Sequence, residues 1–163
     1  MRRVIIFGNS ASGKSTLAKR FAEQGLAHLD LDSLAWDMTP QPVRRDKQLS
    51  CQQIDEFSQA NTDWVIEGCY SDLLAHVLSE ATEVIFMNLS IEQCIANAEQ
   101  RPWEPHKYAS KSKQDANLTM LIDWISQYDS RSDEFSLQAH QALFDKFSGK
   151  KSQIIENTMV NID

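Results

Sequence analysis

The chain has no long apolar segment. Its longest uninterrupted apolar runs are four residues, such as Val4-Ile5-Ile6-Phe7, whereas a helix needs about 20 to cross a bilayer. The basic start Met1-Arg2-Arg3 is similar to that of a signal peptide, but the apolar residues behind it already end at Gly8. We therefore predict a strand at this position, no membrane span and a cytoplasmic protein.

Cysteine is also scarce, with only Cys51, Cys69 and Cys94 in the whole sequence. Three cysteines that lie far apart form neither a paired disulfide framework nor a CxxC metal site. We expect these residues to be ordinary thiols in a reducing compartment.

Positive charge is in the minority, because 16 Lys and Arg residues face 23 Asp and Glu residues and the net charge is −7. No block of consecutive like charges stands out, so we expect no nucleic-acid partner. The positive side chains that do cluster are Lys14 and those from Arg101 through Lys107 to Lys113. Local positive charge in an acidic protein favours a small anionic ligand.

The chain does contain a phosphate-loop signature. The pattern GxxxxGK[ST] follows the apolar run at residues 4–7 and precedes residues at helical spacing. Backbone N–H groups of such a loop curl around phosphate oxygens, Lys14 reaches the β and γ phosphates, and the Ser15 hydroxyl can ligate Mg²⁺. The N-terminus of the helix adds positive potential. We expect nucleotide contacts from Gly8, Asn9, Ser10, Ala11, Ser12, Gly13, Lys14, Ser15 and Thr16. The alternative is a purely structural glycine-rich turn.

Five short apolar or β-branched runs predict five strands. They are Val4–Phe7, Leu26–Asp30, Trp64–Glu67, Glu83–Leu89 and Ser152–Glu156. Segments with helical periodicity separate them, and one of these opens with a capping box at Ser90 to Gln93. Strands that alternate with helices predict an α/β fold with a parallel sheet and helices on both faces. The length favours a single domain over residues 1–163.

Two segments depart from this alternation. Residues 33–62 contain Pro40, Pro42 and a weakly amphipathic stretch, and residues 101–115 are polar, basic and aromatic. Both follow strands at the carboxyl edge of the predicted sheet, where ligands bind in open α/β folds. We interpret residues 33–62 as an acceptor-binding arm and residues 101–115 as a lid. For the lid, the alternative is a solvated loop.

These features together resemble the small P-loop kinases: nucleoside-monophosphate kinases, shikimate kinase and the adenylate-kinase-related proteins labelled topology modulation proteins. The sequence GNSASGKST at residues 8–16 carries the likeness to the superfamily, and His28–Trp36 and Trp64–Tyr70 carry the likeness to the branch. The resemblance implies a three-layer P-loop NTPase fold with a five-stranded parallel sheet, nucleoside-monophosphate kinase-like. It also implies ATP and Mg²⁺ as cofactors.

Three acidic side chains are candidates for metal and acceptor contacts. Asp30-x-Asp32 resembles the paired aspartates of shikimate kinase, and both side chains point to one side if the segment stays extended. One carboxylate could help hold Mg²⁺ through water and the other could orient or deprotonate an acceptor hydroxyl. The alternative is a pair of helix caps or solvating acids. Glu67 resembles a Walker-B-like acid that binds Mg²⁺ through water, and the alternative is an edge salt bridge.

The resemblance also suggests residues on the acceptor side. Trp36, Gly68 and Tyr70 are candidates for binding the acceptor, with core packing as the alternative for the two aromatic residues. Arg101 falls where these kinases carry a lid arginine, which would stabilise charge on the transferring γ-phosphoryl group. Adenylate kinases place Asp-Gly-x-Pro-Arg after the third strand, with the arginine on the acceptor phosphate, but residues 67–71 have neither proline nor arginine. This favours an unphosphorylated acceptor over a nucleotide, although Arg44 and Arg45 could supply an arginine.

The leading hypothesis is a kinase that transfers the γ-phosphoryl group of ATP to a small hydroxylated metabolite or nucleotide. Lys14, Asp32 and Arg101 are the candidate catalytic residues, and Ser15 and Glu67 (through water) the candidate metal ligands. The alternative is a nucleotide-gated ATPase or binding protein that acts through a protein partner. The sequence has no NKxD guanine signature, which argues against a GTPase switch. We expect a monomer or homodimer.

Overall fold

The central sheet is built from strands whose apolar side chains are buried on both faces, as parallel sheets require. The computed structural model describes residues 1–37 and 39–159, so Met38 of the predicted arm and residues 160–163 of the predicted domain lie outside the described residues. The five strands of this sheet are β1 (Arg3–Gly8), β2 (Ala27–Asp30), β5 (Trp64–Gly68), β6 (Glu83–Met87) and β7 (Lys150–Ile154). A separate hairpin comprises β3 (Trp36–Asp37) and β4 (Val43–Arg44).

Six helices connect the strands within the described residues. They are α1 (Lys14–Glu23), α2 (Lys47–Ala60), α3 (Ser71–Val77), α4 (Ile91–Glu99), α5 (Lys111–Ser126) and α6 (Leu137–Lys146). The predicted capping box is confirmed at α4, where the Ser90 hydroxyl accepts from the backbone N–H of Gln93. Every helix of the described residues is too short or too polar to span a bilayer.

Alternation along β1 divides the core into two halves. Ile5 and Phe7 pack in the cluster that includes Ile54 of α2. Val4 and Ile6 pack in the opposite cluster, which includes Phe21 of α1. Since side chains of a strand alternate between the faces of its sheet, β1 contributes to both clusters. The predicted three-layer arrangement is confirmed.

Strand order places the phosphate loop at the centre of the carboxyl edge. The order is β2-β5-β1-β6-β7 with all neighbours parallel. In this register Phe7 lies opposite Gly68, and Asp30 lies opposite Glu67. The ends of β1, β2 and β5 therefore meet where ligands bind in this class of sheet.

Three predicted strand boundaries, which belong to two strands, are wrong by two residues. The strand predicted over 83–89 ends at Met87, because the N–H of Asn88 turns to the carbonyl oxygens of Phe86 and Ile154. The last strand covers 150–154 and not 152–156. Four of its five residues are exposed, so its first half carries no apolar signal.

The arm and the lid differ in regularity. The arm (residues 33–62) contains the β3–β4 hairpin and then α2, whose N-terminus is capped by the Asp46 carboxylate. In the lid (residues 101–115), the first ten residues have no helix or strand, and α5 begins at Lys111 after a Ser110 cap. The roles proposed for both segments stay predictions.

Candidate functional site

Two glycines shape the phosphate loop for steric reasons. At Gly8, φ is +154° and a Cβ atom would stand 2.4 Å from the backbone oxygen of Met87. At Gly13, φ is +96° and a Cβ atom would stand 2.7 Å from Nδ2 of Asn157. Side chains other than hydrogen therefore cannot occupy either position without displacing a neighbour. The chain then enters α1 directly at Lys14, whose Nζ donates to the carbonyl oxygen of Asn9 at 2.6 Å.

Two asparagine side chains from other segments form hydrogen bonds to carbonyl oxygens of the phosphate loop. Asn97 of α4 donates to the carbonyl oxygen of Ala11 at 2.9 Å, and Asn157 donates to that of Ser12 at 3.0 Å. Nδ2 of Asn97 also donates to Oδ1 of Asn157 at 2.9 Å. These bonds occupy loop carbonyl groups and connect the loop to α4 and to the segment after β7. Sequence reasoning did not identify Asn97 or Asn157, since a lone asparagine far from the motif gives no signal.

A buried carboxylate lies beside the loop. Glu67, at the end of β5, is 1% exposed. Its Oε1 accepts from the Ser15 hydroxyl at 2.8 Å and lies 3.2 Å from Nε2 of His28 on β2. Sequence reasoning paired Ser15 with Glu67 as metal ligands but did not identify His28. Two oxygen donors this close are the ligand chemistry that Mg²⁺ prefers.

Asp30 and Asp32 occupy different backbone settings. Asp30 ends β2, and its carboxylate accepts from the N–H of Asp32, which lies in a 3-10 turn over Leu31–Ser33. The segment is therefore not extended through Asp32, and the alternative of a helix cap holds for Asp30. Burial, followed by the nearby charges of Glu67 and Asp32, raises the pKa of Asp30 from 3.8 to about 6.

Asp32 is bound on the acceptor side by a chain of hydrogen bonds. Nε1 of Trp36 donates to the Tyr70 hydroxyl at 2.8 Å, and that hydroxyl donates to Oδ1 of Asp32. Gly68 lies behind this chain, where a Cβ atom would stand 3.0 Å from Cβ of Leu31 and 3.1 Å from the Tyr70 ring. Its absent side chain thus permits close packing at the end of β5.

Two cations of the lid pair with the same carboxylate, that of Glu104. Nε of Arg101 lies 3.1 Å from Oε1 of Glu104. Nζ of Lys107 lies 3.4 Å from Oε2 of Glu104 and 3.8 Å from Oδ2 of Asp32. Burial lowers the pKa of Lys107, but the carboxylates of Asp32, Glu104 and Asp30 outweigh it and leave a raised pKa. Of the two cations, Lys107 is the one that contacts a candidate catalytic residue.

The arginines of the arm are engaged in ion pairs. Arg44 lies 3.2 Å from a carboxylate oxygen of Asp72 and 2.8 Å from one of Glu134. Its guanidinium also lies 4.9 Å from the centre of the Tyr70 ring. Arg45 pairs with Asp37 at 3.0 Å. Neither arginine is an uncommitted phosphate ligand.

The candidate residues from the sequence thus fall into three groups. The loop residues, Ser15 and Glu67 lie together at the end of β1 and β5. Asp32, Trp36 and Tyr70 form a second group on the arm side. Arg101 stays with Glu104 in the lid. Among the residues that the structure describes, no cluster of three or more His, Cys, Asp or Glu side chains could hold a metal ion by itself.

Comparisons with known proteins agree with this architecture. A family model described as "AAA domain" matches residues 4–104. A shikimate kinase from Bacteroides thetaiotaomicron aligns at 17% identity over 88% of this chain and 97% of that chain, with a TM-score of 0.49. A sugar kinase from Janibacter sp. HTCC2649 aligns at 12% identity over 95% of this chain and 85% of that chain, with a TM-score of 0.53. At this identity, the likeness to the sugar kinase shows the fold alone. No curated protein sequence matches the chain.

Proposed function

Since the chain belongs to the AAA-domain family and has the fold of the small P-loop kinases, we propose that it transfers the γ-phosphoryl group of ATP to a small hydroxylated acceptor. The observation that carries the proposal is the approach of Lys107 to Asp32, with 3.8 Å between Nζ and Oδ2. It joins a lid cation and an acceptor-side carboxylate at the sheet edge that bears the phosphate loop.

The phosphate loop accounts for the nucleotide side of the reaction. Its N–H groups and the N-terminus of α1 would surround the β and γ phosphates, and Lys14 would exchange the Asn9 carbonyl for phosphate oxygens. The Ser15 hydroxyl and the buried Glu67, 2.8 Å apart, would hold Mg²⁺, with Glu67 acting through water. The metal, when bound, offsets negative charge between the β and γ phosphates.

Asp32 and the lid account for the acceptor side. The Asp32 carboxylate would accept a hydrogen bond from the acceptor hydroxyl and take its proton as the oxygen bonds to the γ phosphorus. The bond to the bridging oxygen of ADP breaks in the same reaction. Arg101 and Lys107 would stabilise the negative charge that spreads over the transferred group. Phosphoryl transfer depends mostly on such positioning and charge.

The acceptor we propose carries no phosphate. Arginine is well suited to hold the phosphate of an acceptor, because its guanidinium forms a bidentate contact. Arg44 is held by two carboxylates, and Arg45 is held by Asp37. A phosphorylated acceptor would have to break these ion pairs first. We therefore propose that the acceptor is an unphosphorylated metabolite and not a nucleotide.

The proposed setting is the cytoplasm, with the protein as a monomer or homodimer. Cys51, Cys69 and Cys94 are free thiols in the structure. Burial raises the pKa of Cys69 to about 12 and that of Cys94 to about 11, which keeps both thiols protonated and unreactive.

The test is Mg²⁺-dependent release of ADP from ATP across a panel of acceptors. The panel pairs nucleosides with their monophosphates and adds shikimate and other hydroxylated metabolites. We expect one unphosphorylated compound to raise the rate, and Lys14→Ala to lower that rate by at least about 100-fold. Lys19→Ala, an exposed lysine on the same helix, is the control and should leave the rate unchanged.

Two outcomes would contradict the proposal. ADP release that no acceptor increases would favour a nucleotide-gated protein over a kinase. A rate that survives in Lys14→Ala, with the variant folded as judged by circular dichroism, would remove the phosphate loop from the reaction.

A further inference from the structure

The hydroxyl of Tyr70 links an indole to a carboxylate. It accepts from Nε1 of Trp36 at 2.8 Å and donates to Oδ1 of Asp32. Tyr70 itself is 2% exposed, whereas the Asp32 side chain is 50% exposed. The buried Tyr70, with the half-buried Trp36 behind it, therefore donates to an accessible carboxylate.

The direction of this chain is fixed by chemistry. An indole N–H can only donate, and an ionised carboxylate can only accept. The Tyr70 hydroxyl must therefore accept from Trp36 and donate to Asp32, and its proton has a single orientation. Burial, with the charge of Asp32 in addition, raises the pKa of Tyr70, so the phenol keeps the proton that it donates.

The ring of Tyr70 already packs against two side chains. The guanidinium of Arg44 lies 4.9 Å from the ring centre, and the Phe135 ring meets it edge-on with 5.3 Å between centroids. Stacking of a planar acceptor on this ring would require Arg44 to leave two carboxylates. The geometry thus favours a role through the hydroxyl over a role through the ring.

The two oxygens of Asp32 are consequently unequal. Oδ1 is held by Tyr70, while Oδ2 faces the lid, 3.8 Å from Nζ of Lys107. An incoming hydroxyl can approach Oδ2 without displacing a buried partner. Rotation of the carboxylate away from that approach would break its hydrogen bond to Tyr70.

We propose that Tyr70, supported by Trp36, is a positioning residue that holds Oδ1 of Asp32 and presents Oδ2 to the acceptor hydroxyl. This inference rests on the proposed function, because it assumes that Asp32 engages the acceptor. It assigns Trp36 and Tyr70 a role different from direct acceptor binding. Tyr70→Phe removes one hydroxyl and keeps the ring, so the variant should fold.

The first test needs no ligand. In ¹H–¹⁵N spectra of the whole chain, the indole signal of Trp36 is assigned with Trp36→Phe. We expect Tyr70→Phe to move this signal upfield, and Asp32→Asn to move it in the same direction by a smaller amount, because the Tyr70 hydroxyl couples the two sites. Tyr128→Phe is the control, since its hydroxyl is also buried but bonds to His140. An unmoved Trp36 signal in Asp32→Asn would overturn the coupling.

The second test is a double-mutant cycle on Lys14-dependent ADP release, with the panel compound that gives the highest rate as acceptor. We expect Tyr70→Phe to lower kcat by about 10- to 100-fold, with the KM for ATP nearly unchanged. In an Asp32→Asn background, Tyr70→Phe should add almost nothing. Equal effects of Tyr70→Phe on kcat in both backgrounds would mean that the hydroxyl acts independently of Asp32, and would overturn the inference.

The two tests separate failure of the inference from failure of the proposed function. Wild-type protein without Lys14-dependent transfer would overturn the proposed function, and the inference with it. Transfer that proceeds while Tyr70→Phe keeps the wild-type kcat would overturn the inference alone. A loss of kcat in Tyr70→Phe that Tyr128→Phe does not share would support it.

Discussion

His140 should make folding sensitive to acid, and His140→Phe should remove that sensitivity. The ring has no exposed surface. Its Nε2 donates to the carbonyl oxygen of Cys69 at 2.8 Å, and its Nδ1 accepts from the Tyr128 hydroxyl at 2.7 Å. Because a carbonyl can only accept, the neutral ring carries its proton on Nε2. Burial lowers the pKa of His140 from 6.5 to about 4.

The sign of the effect follows from which state binds more protons. Between about pH 6.5 and pH 4 the unfolded chain protonates this histidine and the folded chain does not. Above that window His140 does not reduce the free energy of unfolding. As the pH decreases through the window, His140 lowers it progressively. Each pKa unit corresponds to about 1.4 kcal/mol, so the loss approaches roughly 3 kcal/mol near pH 4.

Asp30 acts in the opposite direction over an overlapping window. Its pKa is raised from 3.8 to about 6 by burial and then by the charges of Glu67 and Asp32. The folded chain therefore binds the extra proton, and acidification below about pH 6 relieves an unfavourable charge. The wild-type pH profile alone will be shallow. The difference between wild type and His140→Phe cancels the contribution of Asp30 and isolates that of the histidine.

Urea unfolding from about pH 4.5 to pH 8 measures this difference. At neutral pH, His140→Phe should be less stable by about 1–3 kcal/mol, because Cys69 and Tyr128 lose their buried partner. The two stability curves should converge as the pH falls. His106→Gln is the control, since the His106 side chain is 66% exposed. A difference between wild type and His140→Phe that stays constant across the range would refute the reasoning.

Two further predictions concern the phosphate loop and its metal. Gly25 has φ of +100°, and a Cβ atom there would meet no neighbour within 4 Å. We therefore expect Gly25→Ala to lower the free energy of unfolding by about 1 kcal/mol in urea and to leave ATP binding normal. Gly13→Ala adds a Cβ 2.7 Å from Asn157 and should weaken ATP binding in a nucleotide titration; equal affinity in the two variants would contradict the loop geometry. Glu67→Gln keeps an acceptor for the Ser15 hydroxyl but loses charge, and should raise the Mg²⁺ concentration needed for ATP binding by about 10-fold. An unchanged Mg²⁺ midpoint would exclude Glu67 from the metal site.

Local signals in the sequence predicted the framework of the fold well. The run at residues 4–7 followed directly by GxxxxGKS has few structural solutions, and both the strand and the helix at Lys14 are confirmed. The resemblance to small P-loop kinases is confirmed as well. Strand β7 was displaced in the prediction because its residues 150–153 are exposed and polar, and pairing with β6, not composition, makes it a strand.

Contacts between distant segments could not be predicted from the sequence. The engagement of Glu67 by His28, at 3.2 Å, depends on β2 and β5 lying side by side. The approach of Lys107 to Asp32 depends on where an irregular lid settles. An extended segment would point Asp30 and Asp32 to the same side, with helix capping as the alternative, and the turn after β2 makes Asp30 a cap. In each case the sequence contained the residue type, but tertiary packing determined which residue it contacts.

The two asparagines that form hydrogen bonds to the phosphate loop are synthesised long after the loop itself. Asn97 follows Ala11 by 86 residues, and Asn157 follows Ser12 by 145 residues. On a translating ribosome the loop emerges early, whereas Asn157 emerges only after the last strand of the sheet. A nascent chain therefore displays the ATP-binding signature long before it has the finished loop. The loop therefore reaches its finished geometry only after the sheet has assembled, and any ligand that needs this geometry would bind after folding and would not guide it.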